Sequence, residues 1–401
     1  MRLLVIGAGM MGSSAAYDMA RSQGVASVTI ADLDAKLANA TAERVRKLAG
    51  KGAPISAVKL NASDTAAAER LMKRHDGTLS CVPYFFNLGL AQAAVKAGCH
   101  FADLGGNNVV VRKTLALADK AERKNVALAP DCGLSPGMAS ILAGDLFRRL
   151  SASLASDGAK RSGKKPVIDA LRLYVGGLPL DPKPPFRYQL VFSVEGLINE
   201  YVEPARVLQN GKLTVIEPLT EPEPFHIDGF PELVGFHTSG GTSTMPETFE
   251  GKVGECFEKT LRYPEHFPFI RGLYDLGLLS SEPRLTRDHK GNKVKLAPRK
   301  LTSELMLERF ASNAPDVTVM RIEGQAGAKK MSFEMVDRYD PRTKLTSMMR
   351  TTAWPASVVL QMIVNGTIAK RGGVLQEIDV PAEQFISEMR DRGVELTFRQ
   401  S

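Results

Sequence analysis

The sequence predicts an α/β protein in which a doubly wound parallel sheet carries an inserted α+β domain. Three observations lead to this prediction: a glycine-rich turn between the first two strands, short apolar runs that alternate with helical stretches through residue 150, and a change to prolines and strand-like segments near Val167. A chain of 401 residues is long enough for two domains with large cores.

The first part of the chain combines a strand, a glycine-rich turn, a helix, a second strand and an acid. Residues 2–6 form a short apolar run typical of a buried parallel strand, and Gly7-Ala8-Gly9-Met10-Met11-Gly12 follows at once. A helical stretch rich in alanine and methionine comes next, and then a strand over residues 27–31 that ends on Asp32. This order is the context that the dinucleotide-binding fingerprint of a Rossmann fold requires.

Each residue of the turn has a physical role in that fingerprint. Gly7 permits a tight turn, Gly9 lets a pyrophosphate approach the backbone, and Gly12 lets the helix pack closely on the sheet. Met10 and Met11 begin the helix, whose free N–H groups and partial positive charge attract phosphates. We therefore predict that these residues bind the cofactor.

Asp32 predicts which dinucleotide is bound. It lies twenty residues after Gly12, where a carboxylate can accept hydrogen bonds from both ribose hydroxyls and would repel a 2′-phosphate. The prediction is therefore NAD rather than NADP. After the third strand, Ser63 and Asp64 either flank the adenine or cap the next helix.

The alternation continues through four more predicted strands, at residues 55–60, 77–82, 100–102 and 126–129, with helices over residues 35–49, 65–73, 86–98, 114–124 and 138–150. Ligands bind beyond the carboxyl ends of the strands in such sheets. We therefore expect the residues at the carboxyl ends of the last three strands to lie near the nicotinamide and the substrate: Cys81, Val82, Pro83, Asp103, Asp131 and Cys132. Among them, Cys132 is better suited to packing than to acting as a nucleophile.

Beyond Val167 the pattern predicts a mixed or antiparallel sheet. Strands are predicted over residues 167–175, 188–193, 212–216, 252–263, 317–323 and 330–339, and a helix over residues 347–370 should pack back on the first domain. The predicted organisation is a Rossmann domain over residues 1–150, a substrate and oligomerisation domain over residues 151–346, and a helical segment over residues 347–401 that returns to the Rossmann domain. The cleft between the domains is the expected active site.

Composition excludes several other classes of protein. The chain is 44% hydrophobic and 24% charged, which is typical of a globular protein, and no apolar run approaches the length of a membrane span. The chain begins directly with a strand, so no signal peptide is expected. Its four cysteines show no metal-binding spacing. Reduced thiols in a cytoplasmic protein are therefore predicted.

The net charge of +8 does not by itself indicate nucleic-acid binding. Part of it lies in the run from Lys160 to Pro166, which is predicted to be a solvated loop, and no nucleic-acid motif accompanies it. An anionic cofactor and a carboxylate substrate would also suit a basic protein. The expected partners are a small amino acid and further copies of the chain, as a homodimer or higher homo-oligomer.

Several motifs resemble the saccharopine dehydrogenase-like enzymes. The glycine turn, Asp103-Leu104-Gly105-Gly106 and the run from Pro130 to Met138 carry that resemblance. Within the family, the second half is most similar to the lysine 6-dehydrogenases, through these runs: Tyr174 to Pro179, Phe192 to Leu197, His237 to Thr244 and Thr260 to Tyr263. The resemblance runs almost end to end and departs near Lys164 and over residues 279–296. It implies NAD-dependent oxidation of the lysine ε-amine to the 6-semialdehyde, which cyclises, with release of ammonia.

This chemistry needs a group that takes the proton of the amine, because a lysine ε-amine has a pKa of about 10.4. The candidates are Asp103, Asp131, Glu195 and His237, and His237 is the first choice since a neutral imidazole accepts a proton near physiological pH. Each has a structural alternative: the aspartates as caps, Glu195 as a partly exposed residue, His237 as a core residue. The reaction requires no metal.

The substrate carboxylate calls for a planar cation, and Arg262 and Arg187 are the candidates. Either could instead be solvated or form a structural ion pair. Tyr188 is predicted to contact the substrate or to fill a core. The loop containing Thr238, Ser239 and Gly240 is polar and glycine-rich, which favours a backbone-lined substrate site; the list of predicted substrate-binding residues is therefore Arg187, Tyr188, Thr238, Ser239, Gly240 and Arg262.

Two other functions remain open from the sequence. One lies in the same family, a saccharopine or carboxynorspermidine dehydrogenase, whose pocket should hold more than one cation that faces the substrate. The other is a dinucleotide-binding sensor without turnover, which would keep the phosphate loop and lack a proton acceptor in the cleft.

Overall fold

A computed structural model describes residues 1–156, 168–312 and 314–401. The basic run from Lys160 to Pro166 and the first residue of the strand predicted at Val167 lie outside these ranges. Within them, the chain forms a sheet of seven strands, a sheet of nine strands and a separate two-stranded hairpin. None of the helices in the described ranges is both long and apolar enough to cross a bilayer.

The first sheet is built from alternating strands and helices, as predicted. Its elements are β1 (Arg2–Ile6), α1 (Met10–Arg21), β2 (Ser27–Asp32), α2 (Ala35–Ala49), β3 (Ile55–Lys59), α3 (Thr65–Met72), β4 (Gly77–Ser80), α4 (Asn87–Ala97), β5 (His100–Asp103), α5 (Asn108–Leu115), α6 (Ala118–Arg123), β6 (Ala127–Ala129) and α7 (Met138–Ser156). The strand order is β6-β5-β4-β1-β2-β3, and every pair is parallel. The order reverses between β1 and β4, so the crevice for a ligand opens there.

The second domain is the expected α+β unit. Its elements are β7 (Ile168–Pro179), α8 (Val194–Val202), β8 (Ala205–Gln209), β9 (Lys212–Ile216), β10 (Glu223–Phe225), β11 (Leu233–His237), α9 (Met245–Phe249), β12 (Val253–Arg262), α10 (His266–Asp275), β13 (Arg284–Arg287), β14 (Lys293–Leu296), α11 (Pro298–Phe310), β15 (Asp316–Ala326) and β16 (Lys329–Arg338). The central order is β10-β11-β12-β7-β15-β16, with β8 and β9 beside β12. Strands β7 and β12 are parallel, so the sheet is mixed.

The end of the chain contributes to both sheets. Its elements are α12 (Ser347–Val364), β17 (Gly372–Gly373), α13 (Gln376–Asp379), α14 (Ala382–Asp391) and β18 (Thr397–Gln400). Helix α12 lies against α1, and β17 extends the first sheet beside β6. Strand β18 instead pairs with β16, where Phe398 and Phe333 have ring centroids 5.2 Å apart. The final segment is therefore not entirely helical, and it does not return only to the Rossmann domain.

Two local predictions are wrong for reasons of helix capping. Residues 188–193 form no strand, because the Ser193 hydroxyl accepts a hydrogen bond from the Gly196 N–H at 3.1 Å and starts α8. The helix predicted over residues 114–124 begins earlier, at the cap Asn107, and is broken between α5 and α6. In both places the side chain of the capping residue accepts hydrogen bonds from the first free N–H groups of the helix and so fixes where the helix begins.

The two faces of the second sheet have different surroundings. Leu171, Cys256 and Met320 point toward the first domain and share one core with residues of α7 and α12. Tyr174 and Leu261 point to the opposite side and belong to a separate core. Because side chains alternate along a strand, a shift of one residue decides whether a group faces the cleft.

Candidate active site

The glycine turn leaves open space on one side and none on the other. A Cβ on Gly12 would lie 1.7 Å from the Gly7 carbonyl oxygen, so only glycine permits this contact between α1 and β1. A Cβ on Gly9 would meet no atom within 4 Å. Gly9 therefore borders the space that a pyrophosphate needs, at the N-terminus of α1 where Met10 is 45% exposed.

Asp32 ends β2 and holds the glycine turn. Its carboxylate accepts hydrogen bonds from the Ala8 N–H at 2.7 Å and from the Asp34 N–H at 2.9 Å. Each oxygen keeps a second lone pair, which a ribose hydroxyl could use. The residue is thus part of the turn itself as well as a candidate ribose ligand.

The residues predicted at the two ends of the cofactor have different environments. Asp64 caps α3 by accepting from the Ala67 N–H at 2.9 Å, and Ser63 donates its hydroxyl to Asn61 at 2.8 Å. Cys81 and Val82 lie at the end of β4, where a Cβ on Gly7 would come within 2.8 Å of the Cys81 carbonyl oxygen and 3.1 Å of a Val82 methyl. They therefore form a wall of the turn, and Pro83 beyond them is exposed.

Cys132 does not reach the cofactor crevice with its side chain. The residue is fully buried, and its Sγ donates to the Ala129 carbonyl oxygen and lies 3.0 Å from the Gln376 amide nitrogen. Burial also raises the pKa of its thiol well above the ordinary value. The prediction that the Cys132 side chain contacts the nicotinamide is therefore wrong. The side chain packs in the core that the two domains share.

Two carboxylates lie side by side at the ends of β5 and β6. Asp103 accepts hydrogen bonds from the Gly105 N–H at 2.7 Å and the Asp131 N–H at 3.2 Å. Asp131 has a φ of 58°, and its Oδ2 accepts from the Ser243 hydroxyl. Its Oδ1 is buried and has no hydrogen-bond partner among the described residues.

Burial shifts the protonation of both aspartates. It raises the pKa of Asp103 to about 6 and the pKa of Asp131 to about 7, where the neighbouring Asp103 charge adds to the effect. A Cβ on Gly105 would lie 2.0 Å from Asp131 Oδ1, so this glycine leaves room for the unpartnered oxygen. A carboxylate in such surroundings can exchange a proton near neutral pH.

The loop after β11 closes the second domain onto these strand ends. The Ser135 hydroxyl donates to the Gly241 carbonyl oxygen at 3.3 Å, and Ser243 reaches Asp131 as described. The Thr244 and Thr248 hydroxyls both donate to the buried Glu377 carboxylate, at 2.9 and 2.6 Å. Of the predicted substrate residues of this loop, Ser239 is buried, and its N–H donates to the Glu200 carbonyl oxygen at 3.0 Å.

Behind the loop lies a cluster of charged and aromatic groups, all buried except the half-buried Glu200: Tyr188, Glu200, Tyr201, Glu258, Arg262 and His266. We call it the acidic cluster. Thr238 donates to Glu258 at 3.1 Å, and burial together with the Glu200 charge raises the pKa of Glu258 to about 8. Burial also raises the pKa of Glu200, against the effect of Arg262. The side chain of Glu200 keeps 31% exposure, so the cluster has an opening.

Arg262 is the single cation of the acidic cluster. Its Nε donates to the Tyr201 hydroxyl at 3.2 Å, its guanidinium lies 5.1 Å from the centroid of the Tyr188 ring, and Glu200 is 4.0 Å away. Arg187 instead forms an ion pair with Glu265 at 2.8 Å, and both side chains are partly exposed. The structure therefore places Arg262 and Tyr188 together and leaves Arg187 outside the cluster.

His237 is on the wrong side of the sheet to take the substrate proton. Its Nε2 lies 3.1 Å from the Glu221 carboxylate, and it pairs in register with Lys259 on the outward face. Thr238, one residue later, faces the cleft. Because side chains alternate along β11, His237 lies on the outward face and has a structural role. The prediction that it accepts the substrate proton is therefore wrong. Burial lowers the pKa of this imidazole.

Glu195 also lies apart from the cleft groups. It is exposed in the first turn of α8, where its carbonyl oxygen accepts from Arg299 at 3.1 Å. Glu200, further along the same helix, is the glutamate that reaches the acidic cluster. The position of Glu195 is that of its structural alternative, an exposed helix residue.

Four residues of the site were not among those predicted from the sequence: Glu200, Ser243, Glu258 and Glu377. One signal existed for Glu258, since strand alternation from Arg262 through Thr260 puts Glu258 on the same face. Ser243 and Glu377 have no local signal, because their partners are far along the chain. No group of three or more metal-ligating side chains in the described ranges is arranged to hold a metal ion.

Alanine substitutions in the glycine turn should separate packing from cofactor binding. Gly12→Ala should lower the melting temperature, because its Cβ collides with the Gly7 carbonyl. Gly9→Ala should fold normally and bind dinucleotide at least about tenfold more weakly, since its methyl enters the pyrophosphate space. Calorimetry and dinucleotide titration measure the two effects. Unchanged affinity in Gly9→Ala would contradict the placement of the pyrophosphate.

Glu258 should make the stability of the protein fall as the pH rises. Its raised pKa means that the folded state keeps a proton which the unfolded chain releases, so stability declines from about pH 5 to pH 8. Glu258→Gln should flatten the melting temperature over this range. The matched control is Glu255→Gln, which removes an outward, partly exposed carboxylate paired with Arg172. Parallel curves for Glu258→Gln and the parent would show that Glu258 is ionised when folded.

Comparisons with known proteins agree with the geometry. A family model for the saccharopine dehydrogenase NADP binding domain matches residues 3–130, and one for the saccharopine dehydrogenase C-terminal domain matches residues 133–394. Saccharopine dehydrogenase [NADP(+), L-glutamate-forming] from Schizosaccharomyces pombe is 26% identical over 56% of this chain and 48% of its own length. The Saccharomyces cerevisiae protein of that name is 21% identical over 63% of this chain and 54% of its own.

The chain spans about half the length of these curated relatives. The solved structure of apo histidine-tagged saccharopine dehydrogenase (L-Glu forming) from Saccharomyces cerevisiae superposes with a TM-score of 0.77, at 18% identity, over 100% of this chain and 99% of that one. At this identity the likeness shows a shared fold. The C-terminal domain model alone covers more than half of the residues, and the chain therefore belongs to the saccharopine dehydrogenase family.

Proposed function

We propose that this protein is a dehydrogenase that uses NAD to oxidise an amino acid at a carbon–nitrogen bond, with the ε-amine of L-lysine as the group oxidised. The observation that carries the proposal is Asp131. Its buried, unpartnered Oδ1 lies at the end of β6, and Ser243 of the second domain binds the other oxygen. This is the edge of the sheet where a nicotinamide and its substrate are expected.

The proposed role of Asp131 is to accept the proton of the substrate amine. Hydride can leave the carbon only when the nitrogen is neutral, and the ordinary ammonium has a pKa of about 10.4. A carboxylate with a pKa of about 7 is ionised in a large fraction of molecules at neutral pH and is a stronger base than a solvated one. The Ser243 hydroxyl and the nearby Asp103 hold and tune it. A bound dinucleotide would supply the hydride acceptor.

The residues of the turn fit a dinucleotide, and the acids at the end of β2 support NAD. Gly9 borders open space, and Asp32 keeps lone pairs for ribose hydroxyls. Asp34 lies two residues further, where it caps α2 by accepting from the Lys36 N–H at 2.8 Å. A 2′-phosphate would meet these two negative charges. Against this preference, the family model and the relatives carry NADP in their names.

The charge balance of the acidic cluster supports lysine as the substrate. Arg262 offers one site for a carboxylate, and Glu200 and Glu258 are two carboxyl groups with raised pKa values, whose ionised forms a bound ammonium group would stabilise. A substrate with one carboxylate and two amines, such as lysine, completes this balance. Saccharopine brings three carboxylates, and Arg187, the other candidate, is already paired with Glu265.

A second candidate is the oxidation of saccharopine with NADP. It is favoured by the names of the curated relatives, which are saccharopine dehydrogenases that use NADP(+) and form L-glutamate. The same fold and the same proton acceptor would serve both substrates, since each reaction oxidises a carbon bound to an amine nitrogen. The two candidates therefore differ in the acidic cluster and at Asp32.

Initial rates with each combination of dinucleotide and amine decide between these candidates. The amines are L-lysine, cadaverine, saccharopine and carboxynorspermidine, each tested with NAD and with NADP. We expect the highest kcat/KM for L-lysine with NAD, and a much higher KM for cadaverine, which lacks the carboxylate that Arg262 would bind. Fastest turnover of saccharopine with NADP would establish the second candidate. Dinucleotide binding without turnover of any amine would point to a sensor.

Asp131→Asn should reduce kcat by about 10²-fold or more, the usual scale for one general base. The parent should gain activity as the pH rises through about 7, and the variant should lose this limb of the profile. His237→Asn is the matched control, since it changes a buried residue on the outward face. If His237→Asn lowers kcat as much as Asp131→Asn does, the assignment of the proton acceptor is wrong.

A further inference from the structure

The contact between Asp131 and Ser243 joins two residues that both have a left-handed backbone conformation. The φ angle of Asp131 is 58° and that of Ser243 is 48°. A residue other than glycine rarely adopts this conformation unless the surrounding structure holds it there. The loops after β6 and β11 therefore need further contacts that keep these two residues in place.

Helix α13 supplies such a contact for the loop that carries Asp131. The side-chain amide of Gln376 donates to the carbonyl oxygen of Pro130, the residue directly before Asp131, at 3.1 Å. The same nitrogen lies 3.0 Å from the Sγ of Cys132, the residue directly after it. Gln376 therefore holds the chain on both sides of Asp131.

The next residue of α13 supplies the contact for the loop that carries Ser243. The Glu377 carboxylate accepts from the hydroxyl of Thr244, the residue directly after Ser243, at 2.9 Å, and from the Thr248 hydroxyl at 2.6 Å. These threonines belong to the second domain, whereas Asp131 belongs to the first. Two adjacent side chains of one short helix thus hold both partners of the contact between the domains.

Helix α13 is itself fixed against the first domain. Gln376 is 4% exposed and Glu377 is 2% exposed. A Cβ on Gly144 of α7 would lie 1.9 Å from the Glu377 carbonyl oxygen, so α13 rests directly on the α7 backbone. The Arg148 guanidinium donates to the same carbonyl oxygen at 3.3 Å. A shift of α13 would therefore disturb this packing.

We propose that Gln376 and Glu377 are positioning residues, which together hold Asp131 against Ser243, and that the charge of Glu377 makes Asp131 a stronger base. We call these two residues the α13 pair. The inference rests on the proposed function, in which Asp131 accepts the proton of the substrate amine. The α13 pair acts on that step through Asp131 and Ser243.

The effect of Glu377 on Asp131 is electrostatic as well as geometric. Burial and the Asp103 charge raise the pKa of Asp131 to about 7, and the Glu377 charge adds to this effect. Burial also raises the pKa of Glu377, against the effect of its threonine partners. Its Oε2 is buried and has no hydrogen-bond partner among the described residues.

The other titratable and charged groups that face the two carboxylates are Asp103 and Cys132 beside Asp131, and Cys256, Asp379 and Arg148 beside Glu377. Burial raises the pKa of both thiols, so they stay uncharged at neutral pH. The carboxyl groups of Asp103 and Glu377 are therefore the charges that act on Asp131 from these elements.

Steady-state kinetics of two Glu377 variants separate its hydrogen bonds from its charge. Glu377→Ala leaves two threonine hydroxyls without their acceptor and should lower kcat at least about tenfold, with unchanged dinucleotide affinity. Glu377→Gln keeps an accepting oxygen and should retain kcat within about twofold. The matched control is Glu247→Gln, which removes a partly exposed carboxylate of α9 that pairs with Arg112 at 2.8 Å and should leave kcat unchanged. Melting temperatures check that each variant is folded.

The pKa of Asp131 gives a readout that needs no turnover. Carbon NMR of the full chain, labelled at the aspartate carboxyl groups, reports this pKa through the resonance that disappears in Asp131→Asn. We expect a pKa of about 7 in the parent. In Glu377→Gln it should be lower by about half a unit or more, because a like charge is removed. The same pKa in Glu377→Gln and in the parent would overturn the proposal, whichever amine is oxidised.

A double-mutant cycle tests whether Glu377 acts through Ser243. Ser243→Ala should lower kcat, and Glu377→Ala added to it should cause little further loss, because the contact that Glu377 holds is already absent. Gln376→Leu should behave as Glu377→Ala does. Losses that multiply would show a separate route and overturn the proposal. An Asp131→Asn variant with normal kcat would instead contradict the proposed function, and the NMR titration would still decide whether the α13 pair acts on Asp131.

Discussion

The contact between Asp131 and Ser243 joins the two domains at the point where chemistry is proposed. The first domain alone cannot satisfy this carboxylate, because Asp103 beside it is also acidic and is occupied by two backbone N–H groups. The second domain supplies one hydroxyl, and the remaining oxygen stays unpartnered. The same burial that raises the pKa of Asp131 therefore depends on the docking of the loop after β11. Domain orientation and proton affinity are set by one interaction.

A buried carboxylate far from the proposed site, Asp18, pairs with an arginine of its own, unlike the carboxyl groups of the acidic cluster. Asp18 lies under α12 and α14, where Arg392 donates to one oxygen at 2.7 Å and Ser357 to the other at 2.8 Å. Its charge is neutralised and both oxygens are used. The acidic cluster differs, because two glutamates share one arginine and the pKa of Glu258 rises to about 8. A buried carboxyl group with so high a pKa is largely protonated at neutral pH, and a bound cation would favour its ionised form.

The predictions that held were those for which local sequence determines the structure. The first sheet follows from short apolar runs and from glycines whose contacts are with near neighbours, as at Gly7 and Gly12. His237 failed because a shift of one residue along β11 exchanges the two faces, and the pairing with β12 that fixes this register is a long-range contact. Ser243 and Glu377 could not be found, since their partners are separated from them by more than a hundred residues.

The same residue, Asp32, affects both the preference for NAD or NADP and the geometry of the glycine turn. Asp32 accepts the Ala8 N–H, so it holds the loop that receives the pyrophosphate as well as the place of the ribose. Removing its carboxylate would loosen that loop and weaken either dinucleotide. Leu33 directly follows Asp32, and its side chain is 61% exposed, so it does not hold the turn. An arginine introduced at this position could bind a 2′-phosphate while Asp32 still holds the turn. A change at Leu33 could therefore shift the preference from NAD to NADP without weakening the pyrophosphate site.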